Sequence, residues 1–248
     1  MTSNELAIDA QGLTRRFGSF VAVDHITFDV RAGEVFGFLG ANGAGKTTAI
    51  RMLIGLLAPS DGEAHVAGFD VRTQRDQIRR NIGYMSQRFS LYPDLTVREN
   101  IRLYGGIYGL SDDAIRTRSS ALLDSLGLTS SADHLVAKLP LGWKQKLAFS
   151  VALLHEPRIV FLDEPTGGVD PITRRQFWEL IYAAAQRGTT VFVTTHYMDE
   201  AEYCDRISIM VDGRIAGLGT PAQLKAEHSV DSVDDVFVQL ARGAKATA

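Results

Sequence analysis

Glu34-Val-Phe-Gly-Phe-Leu39, then Gly40-Ala-Asn-Gly-Ala-Gly-Lys-Thr-Thr48, then an amphipathic run constrain the fold of this chain more tightly than any other segment. The first six residues read as a strand. From Thr47 the spacing predicts a helix with Ile50, Leu53, Ile54 and Leu57 on one face. The residues between fit G-x-x-x-x-G-K-[ST] at every specified position. Glycines let the main chain approach an anion closely, and a helix start offers unpaired N–H groups at the positive end of its dipole. Lys46 adds a point charge for β- and γ-phosphates, and the Thr47 hydroxyl a ligand for Mg²⁺. A glycine turn with a surface lysine would need neither flank. The segment predicts a strand–loop–helix unit of an α/β sheet that binds a nucleoside triphosphate.

A second segment supplies the chemistry such a site needs. Ile159 to Leu162 is an apolar run of the kind buried on both faces, ending in Asp163 and Glu164 before Pro165 breaks the regular structure. Open parallel sheets bind ligands at the carboxyl ends of their strands. Adjacent acids placed there can divide the work, one toward a metal ion and one toward a proton of water. Read alone, the same residues are equally an acidic turn after a core strand; the phosphate loop upstream decides between these.

Composition narrows the setting. The chain has 248 residues, 45% of them hydrophobic, enough for a sizeable core in one or two domains. A net charge of −3 with both signs interspersed argues against nucleic acid as a partner. Cys204 is the single cysteine, so an intramolecular disulfide is impossible and the thiol reads as a small core residue. No apolar run approaches the ~18 residues of a spanning helix, and the N-terminal MTSNELAIDAQ has no basic-then-apolar leader pattern. A membrane role is therefore expected through docking on another subunit.

The rest of the chain reads as follows. Leu6 to Leu13 and Phe20 to Val30 form a strand pair turning near Gly18; Arg72 to Arg80 is helical, and Ile82 to Ser86 is a strand ending at Gln87. Thr96-Val-Arg-Glu99 is a capping box opening a helix to about Gly109, and Ser111-Asp-Asp opens another that ends at Gly127. A third helix runs from near Gly142 to before Pro157, making Arg88 to His155 a helical insertion. Helix Arg174 to Gln186, strand Thr190 to Thr195, a helix from Met198 and strand Arg206 to Val211 follow. In the tail, Val233, Val236, Phe237 and Leu240 share one helical face, and residues 241–248 are expected to lack order.

In motif content and order, residues 6–220 resemble the nucleotide-binding subunit of ATP-binding cassette (ABC) transporters. The resemblance implies a P-loop NTPase with a RecA-like core, an antiparallel β subdomain and an inserted α-helical subdomain at about 88–155. Residues 1–220 would form the cassette and 221–248 a short helical extension and tail. It assigns Phe17 to adenine stacking, and Gly40, Ala41, Asn42, Gly43, Ala44, Gly45, Lys46, Thr47 and Thr48 to the phosphates. Thr47, Gln87 and Asp163 fall on the metal side, with Gln87 also linking to the helical subdomain. Glu164 matches the catalytic base and His196 the histidine at the γ-phosphate. Gly167-Gly-Val-Asp170 matches the loop that crosses to a second cassette. ATP and Mg²⁺ are the cofactors implied.

The element that most defines the family departs from its pattern. Where the family has Leu-Ser-Gly-Gly-Gln, this chain has Leu139-Pro140-Leu141-Gly142-Trp143. The serine hydroxyl for the partner's γ-phosphate is absent, and Pro140 has no N–H to offer instead. Gly142 keeps its position at the start of a helix, and Lys144 and Lys146 lie close enough in sequence to compensate. Either the composite site is slowed, or the helix docks normally and contributes little chemistry.

Leu95-Thr-Val-Arg-Glu-Asn-Ile101, Tyr104-Gly-Gly-Ile-Tyr-Gly-Leu110, Thr194-Thr-His-Tyr-Met-Asp-Glu-Ala201 and the tail Ser232 to Leu240 are similar to drug-exporter ATPases that pair with a separately encoded ABC-2-type permease. The expected function is ATP hydrolysis driving export through that integral-membrane permease, at the cytoplasmic face of the membrane, with a second cassette as partner. A soluble ABC ATPase without a permease, and a regulatory cassette that barely hydrolyses ATP, are the competing readings.

Overall fold

The computed structural model describes residues 5–87 and 91–246. Among the described residues, ten strands form two sheets. The first is antiparallel, in the order β2-β1-β4-β5, from β1 (Leu6–Phe17), β2 (Phe20–Arg31), β4 (Asp61–Val66) and β5 (Phe69–Asp70). The second has the order β10-β9-β3-β8-β7-β6. Its members are β3 (Val35–Gly40), β6 (Ile82–Met85), β7 (Ile159–Asp163), β8 (Thr190–Thr195), β9 (Arg206–Val211) and β10 (Arg214–Gly219). All are parallel except β10, an antiparallel edge strand.

The central strands are apolar on both faces because both faces are covered. Phe36 and Phe38 of β3, Phe161 of β7 and Phe192 of β8 point toward the antiparallel sheet; Phe28 meets Phe36, Phe38 and Phe192 with ring centroids 5.5–6.2 Å apart, and Phe161 meets Phe192 at 5.3 Å. Their alternates Val35, Leu39, Leu162 and Val193 face the opposite way into a second core, with Leu147 and Phe149, and Phe177 and Ile181, of two covering helices. Pleat alternation along one buried strand thus serves two cores.

The α-helices among the described residues are α1 (Lys46–Leu53), α2 (Arg75–Asn81), α3 (Val97–Ile107), α4 (Asp112–Ser125), α5 (Leu141–Ala152), α6 (Pro171–Gln186), α7 (Pro221–Glu227) and α8 (Val233–Ala246). The segment with α3, α4 and α5 lies between β6 and β7, as the helical insertion requires; its expected start at Arg88 lies outside the described residues. The Thr96 box closes both ways, Thr96 Oγ1 accepting from Glu99 N at 3.2 Å and Thr96 N donating to Glu99 Oε2 at 2.8 Å.

Several boundaries differ from the sequence reading. Helix α1 ends at Leu53, so Leu57 lies beyond it; Gly55, at φ 72°, takes the left-handed turn that stops the helix. Helix α6 begins at Pro171, with Asp170 as its N-cap, rather than at Arg174. The segment from Met198 is a 3-10 helix of six residues. Of residues 241–248, expected to lack order, 241–246 continue α8 and 247–248 lie outside the described residues. Strands β4, β5 and β10 and helix α7 had no sequence signal strong enough to read.

Candidate functional site

The order β3-β8-β7-β6 brings four chain segments to one edge of the parallel sheet. The glycine loop leaves β3, His196 follows β8, Asp163 and Glu164 end β7, and Gln87 follows β6. Every motif separated in sequence therefore meets at the carboxyl ends of the strands.

In the loop, Gly45 caps α1 at φ 105°, and a Cβ there would stand 2.4 Å from the Ala22 carbonyl oxygen. Only glycine fits. The first-turn N–H groups of α1 have no carbonyl within the helix to bond. Lys46 is 5% exposed; its Nζ donates to the carbonyls of Gly40 at 2.7 Å and Ala41 at 3.1 Å. Burial holds this ammonium below the ordinary lysine range, against the opposing pull of the Glu164 carboxylate.

Glu164 is the hub. Its Oε2 accepts from Gln87 Nε2 at 2.8 Å, and Lys46 Nζ lies 3.4 Å from its Oε1. His196 Nδ1 is 3.1 Å from Oε2 but out of line for a hydrogen bond. The backbone of Glu164 has φ 50°, a left-handed conformation costing about 1–3 kcal/mol in a residue with a side chain. Thr194 holds it there: the Glu164 N–H donates to both the Thr194 carbonyl and its Oγ1, each at 3.1 Å. The same Thr194 Oγ1 donates to Asp163 Oδ1 at 2.7 Å, so one buried hydroxyl positions both acids. The sequence reading quoted Thr194 only within a motif and gave it no role; that role follows from the register pairing Asp163 with Thr194 across β7 and β8.

On the other side of Asp163, Thr47 Oγ1 donates to Oδ2 at 3.0 Å and lies 3.3 Å from Oδ1. These hard oxygens suit Mg²⁺, which takes few protein ligands and leaves the rest to waters and phosphates. Among the described residues there is no cluster of three or more His, Cys, Asp or Glu that would form a metal cage of its own. Nearby Tyr84 has its phenol pushed up to about 12 by burial and by the Asp163 charge.

A cavity of about 260 Å³ opens beside the loop, lined by Asn42, Gly43, Gly45, Lys46, Thr47, Thr48, Gln87 and Glu164. Phe20 lines it and Phe17 does not. The two face each other across the β1–β2 turn, and Phe17 carries the Arg15 guanidinium 4.6 Å from its ring centroid. Phe20 was read only as the start of a strand; its place opposite Phe17 at the turn is the signal that was missed.

The Leu139–Trp143 segment lies apart from this cluster. Pro140 is the N-cap of α5 and provides no side-chain cap. Gly142 sits where a Cβ would meet Thr173 Cγ2 at 2.5 Å, so its lack of a side chain allows α5 to approach α6. The two lysines are engaged elsewhere: Lys144 Nζ donates to the Ala137 carbonyl at 2.9 Å and Lys146 Nζ to Gln176 Oε1 at 2.7 Å. Asp170 accepts from Ile172 N and Thr173 N at 3.0 Å and from Thr173 Oγ1 at 2.6 Å, which lowers its carboxyl from the usual range.

Comparison with known proteins bears on the family and the fold. The family model described as ABC transporter matches residues 23–167. A probable multidrug ABC transporter ATP-binding protein, YbhF of Escherichia coli K12, is 48% identical over 96% of the chain, which spans only 42% of YbhF's length. Nod factor export ATP-binding protein I of Burkholderia lata is 38% identical over 92% of the chain and 75% of its own length. Among solved structures, a dimeric ATP-binding cassette in a post-hydrolysis state with ADP and Pi superimposes with a TM-score of 0.76. It is 26% identical, covering 86% of this chain and 98% of its own.

Proposed function

This chain belongs to the ABC transporter family, and from that premise we propose that it is the ATP-binding and ATP-hydrolysing subunit of an exporter. It would work at the cytoplasmic face of the membrane with an integral-membrane permease. The observation that carries this reading is the convergence of Lys46, Gln87 and His196 on the Glu164 carboxylate beside the glycine loop.

The phosphates of ATP occupy the loop cavity, held by main-chain N–H groups of Gly43 to Thr48 and by the Lys46 ammonium. Glu164 takes a proton from the water that attacks the γ-phosphorus; the bond to the β-phosphate oxygen breaks, and ADP and phosphate leave. His196 and Lys46 hold the charge that develops on the γ-phosphoryl oxygens. Thr47, Asp163 and Gln87 are the residues that would hold Mg²⁺, which supplies charge neutralisation at the phosphates when bound. Phe17 or its neighbour Phe20 stacks on the base.

Asp170 and the exposed apolar side chains of Leu141 and Ile172 form the face for a second cassette, on another chain or on the same polypeptide. For the permease we infer a docking place. A cleft beside β6 has apolar and aromatic walls from Ile54, Leu56, Tyr84, Ile107 and Tyr108, with Leu56 and Ile107 exposed, and a charged side from Asp76, Arg79 and Arg80. No helix among the described residues is long and apolar enough to cross a membrane. The chain should therefore be recovered with membranes when its permease is co-expressed and not without it. Membrane recovery in the absence of any integral partner, or quantitative recovery on ribosomes, contradicts the exporter reading.

One observation favours a second reading, a cassette with slow turnover: both lysines near the departed signature are tied down within the chain. A hydrogen bond to a charged group is worth ~1.5–3 kcal/mol. Pro140→Ser combined with Leu141→Gly should raise the ATPase rate of the purified protein by about tenfold, the equivalent of ~1.4 kcal/mol. An unchanged or lower rate from folded protein means that the α5 start is adapted to its own sequence.

A further inference from the structure

Just beyond Glu164, the loop that carries Asp170 is anchored at two polar points, one buried and one half-buried. Thr166 Oγ1, in a residue 1% exposed, donates to Glu200 Oε1 at 2.6 Å, and the Gly167 carbonyl accepts from Gln145 Nε2 at 3.1 Å. Glu200 is 0% exposed and belongs to the 3-10 helix that starts two residues after His196. Arg174 of α6 faces it, with Nε 3.6 Å from Glu200 Oε1, just beyond a hydrogen bond. The guanidinium lies 4.3 Å from the Tyr197 ring centroid, and that ring lies 4.2 Å from the His196 ring. Arg174 Nη1 also reaches Asp199 Oδ2 at 3.4 Å. Among the described residues, the buried Glu200 Oε2 and Arg174 Nε have no hydrogen-bond partner. A wholly buried carboxylate with one full hydrogen bond is an expensive way to fill space, and packing alone would be served better by an apolar side chain.

We propose that Glu200 is a positioning residue: by holding Thr166 it ties the loop carrying Asp170 to the segment carrying His196, so both arms of the site align as one body. The inference rests on the reading of this site as an ATPase. The half-made contact between Arg174 Nε and Glu200 Oε1 marks the slack in the device, and shortening it would give the orphaned Nε an acceptor.

Thr166→Val removes the hydroxyl at nearly constant shape, and Thr166→Ser keeps it. In the full chain, Val should lower kcat about tenfold at unchanged KM for ATP, while Ser stays near wild type. Amide hydrogen exchange, read without reference to activity, should rise in Val over both 166–170 and 196–200. Unchanged kcat and exchange overturn the proposal, as does a rise confined to one segment or a Ser variant no better than Val. If wild type itself releases no phosphate, the ATPase reading fails, and the paired exchange result still decides the role of Glu200. Should Val not fold, Glu200→Gln takes its place: it keeps a weaker acceptor, so the same paired rise in exchange comes with a smaller fall in kcat, and a rise in one segment alone again overturns it.

Discussion

Lys46→Met should weaken ATP binding on the order of a hundredfold, the loss of a charge-assisted bond worth up to ~3 kcal/mol. The ammonium is buried, bonded to two carbonyls of its own loop and 3.4 Å from Glu164 Oε1. Carbonyls offset only part of the cost of burying a cation, and burial already draws the ammonium below its usual range. Phosphate oxygens would complete its coordination. Methionine is of similar length and carries no charge, so packing around the loop should survive. The effect can be read from thermal unfolding with ATP: at a hundredfold excess over Kd, binding stabilises wild type by ~2.7 kcal/mol. The variant at the same concentration would gain only about 0.4 kcal/mol. Equal stabilisation of both proteins would place Lys46 away from the phosphates.

Glu164→Gln should lower turnover by ~10²–10⁴-fold, the usual worth of a positioned general base, while nucleotide stays bound. The amide keeps the shape and can still accept from Gln87, but it cannot take a proton from water. Its backbone would stay fixed, because the left-handed φ of 50° is held by Thr194 through main-chain bonds that the substitution does not touch. Loss of the carboxylate also frees Lys46 from its neighbour at 3.4 Å, which favours the ammonium meeting ATP. Turnover and affinity should therefore separate, and an ATP-bound dimer should accumulate.

What the sequence made legible were features whose physics is local. The glycine loop, the continuous apolar runs of β3, β7 and β8 and the Thr96 capping box each depend on residues close in the chain. The strands that went unread have no such pattern. In β4 only Ala64 and Val66 are buried, and β10 is an edge strand without buried residues. Long-range support was equally hidden. Thr194 acts on Glu164 from 30 residues away and Thr166 meets Glu200 across 34, so neither pair shows until the sheet order is known. Asp170 was read as a crossing residue, and the fold adds a second duty as the cap of α6. Lys144 and Lys146 were read as free to compensate at the signature, yet each has its own acceptor within the chain.

We propose that Glu164 drives ATP hydrolysis at this loop. The most direct test is phosphate release with Mg²⁺ and saturating ATP, measured beside bound nucleotide for wild type and Glu164→Gln. Nucleotide occupancy should be comparable in both proteins, with steady phosphate release from wild type and at least about a hundredfold less from the variant. Release from Glu164→Gln at the wild-type rate would contradict the proposal.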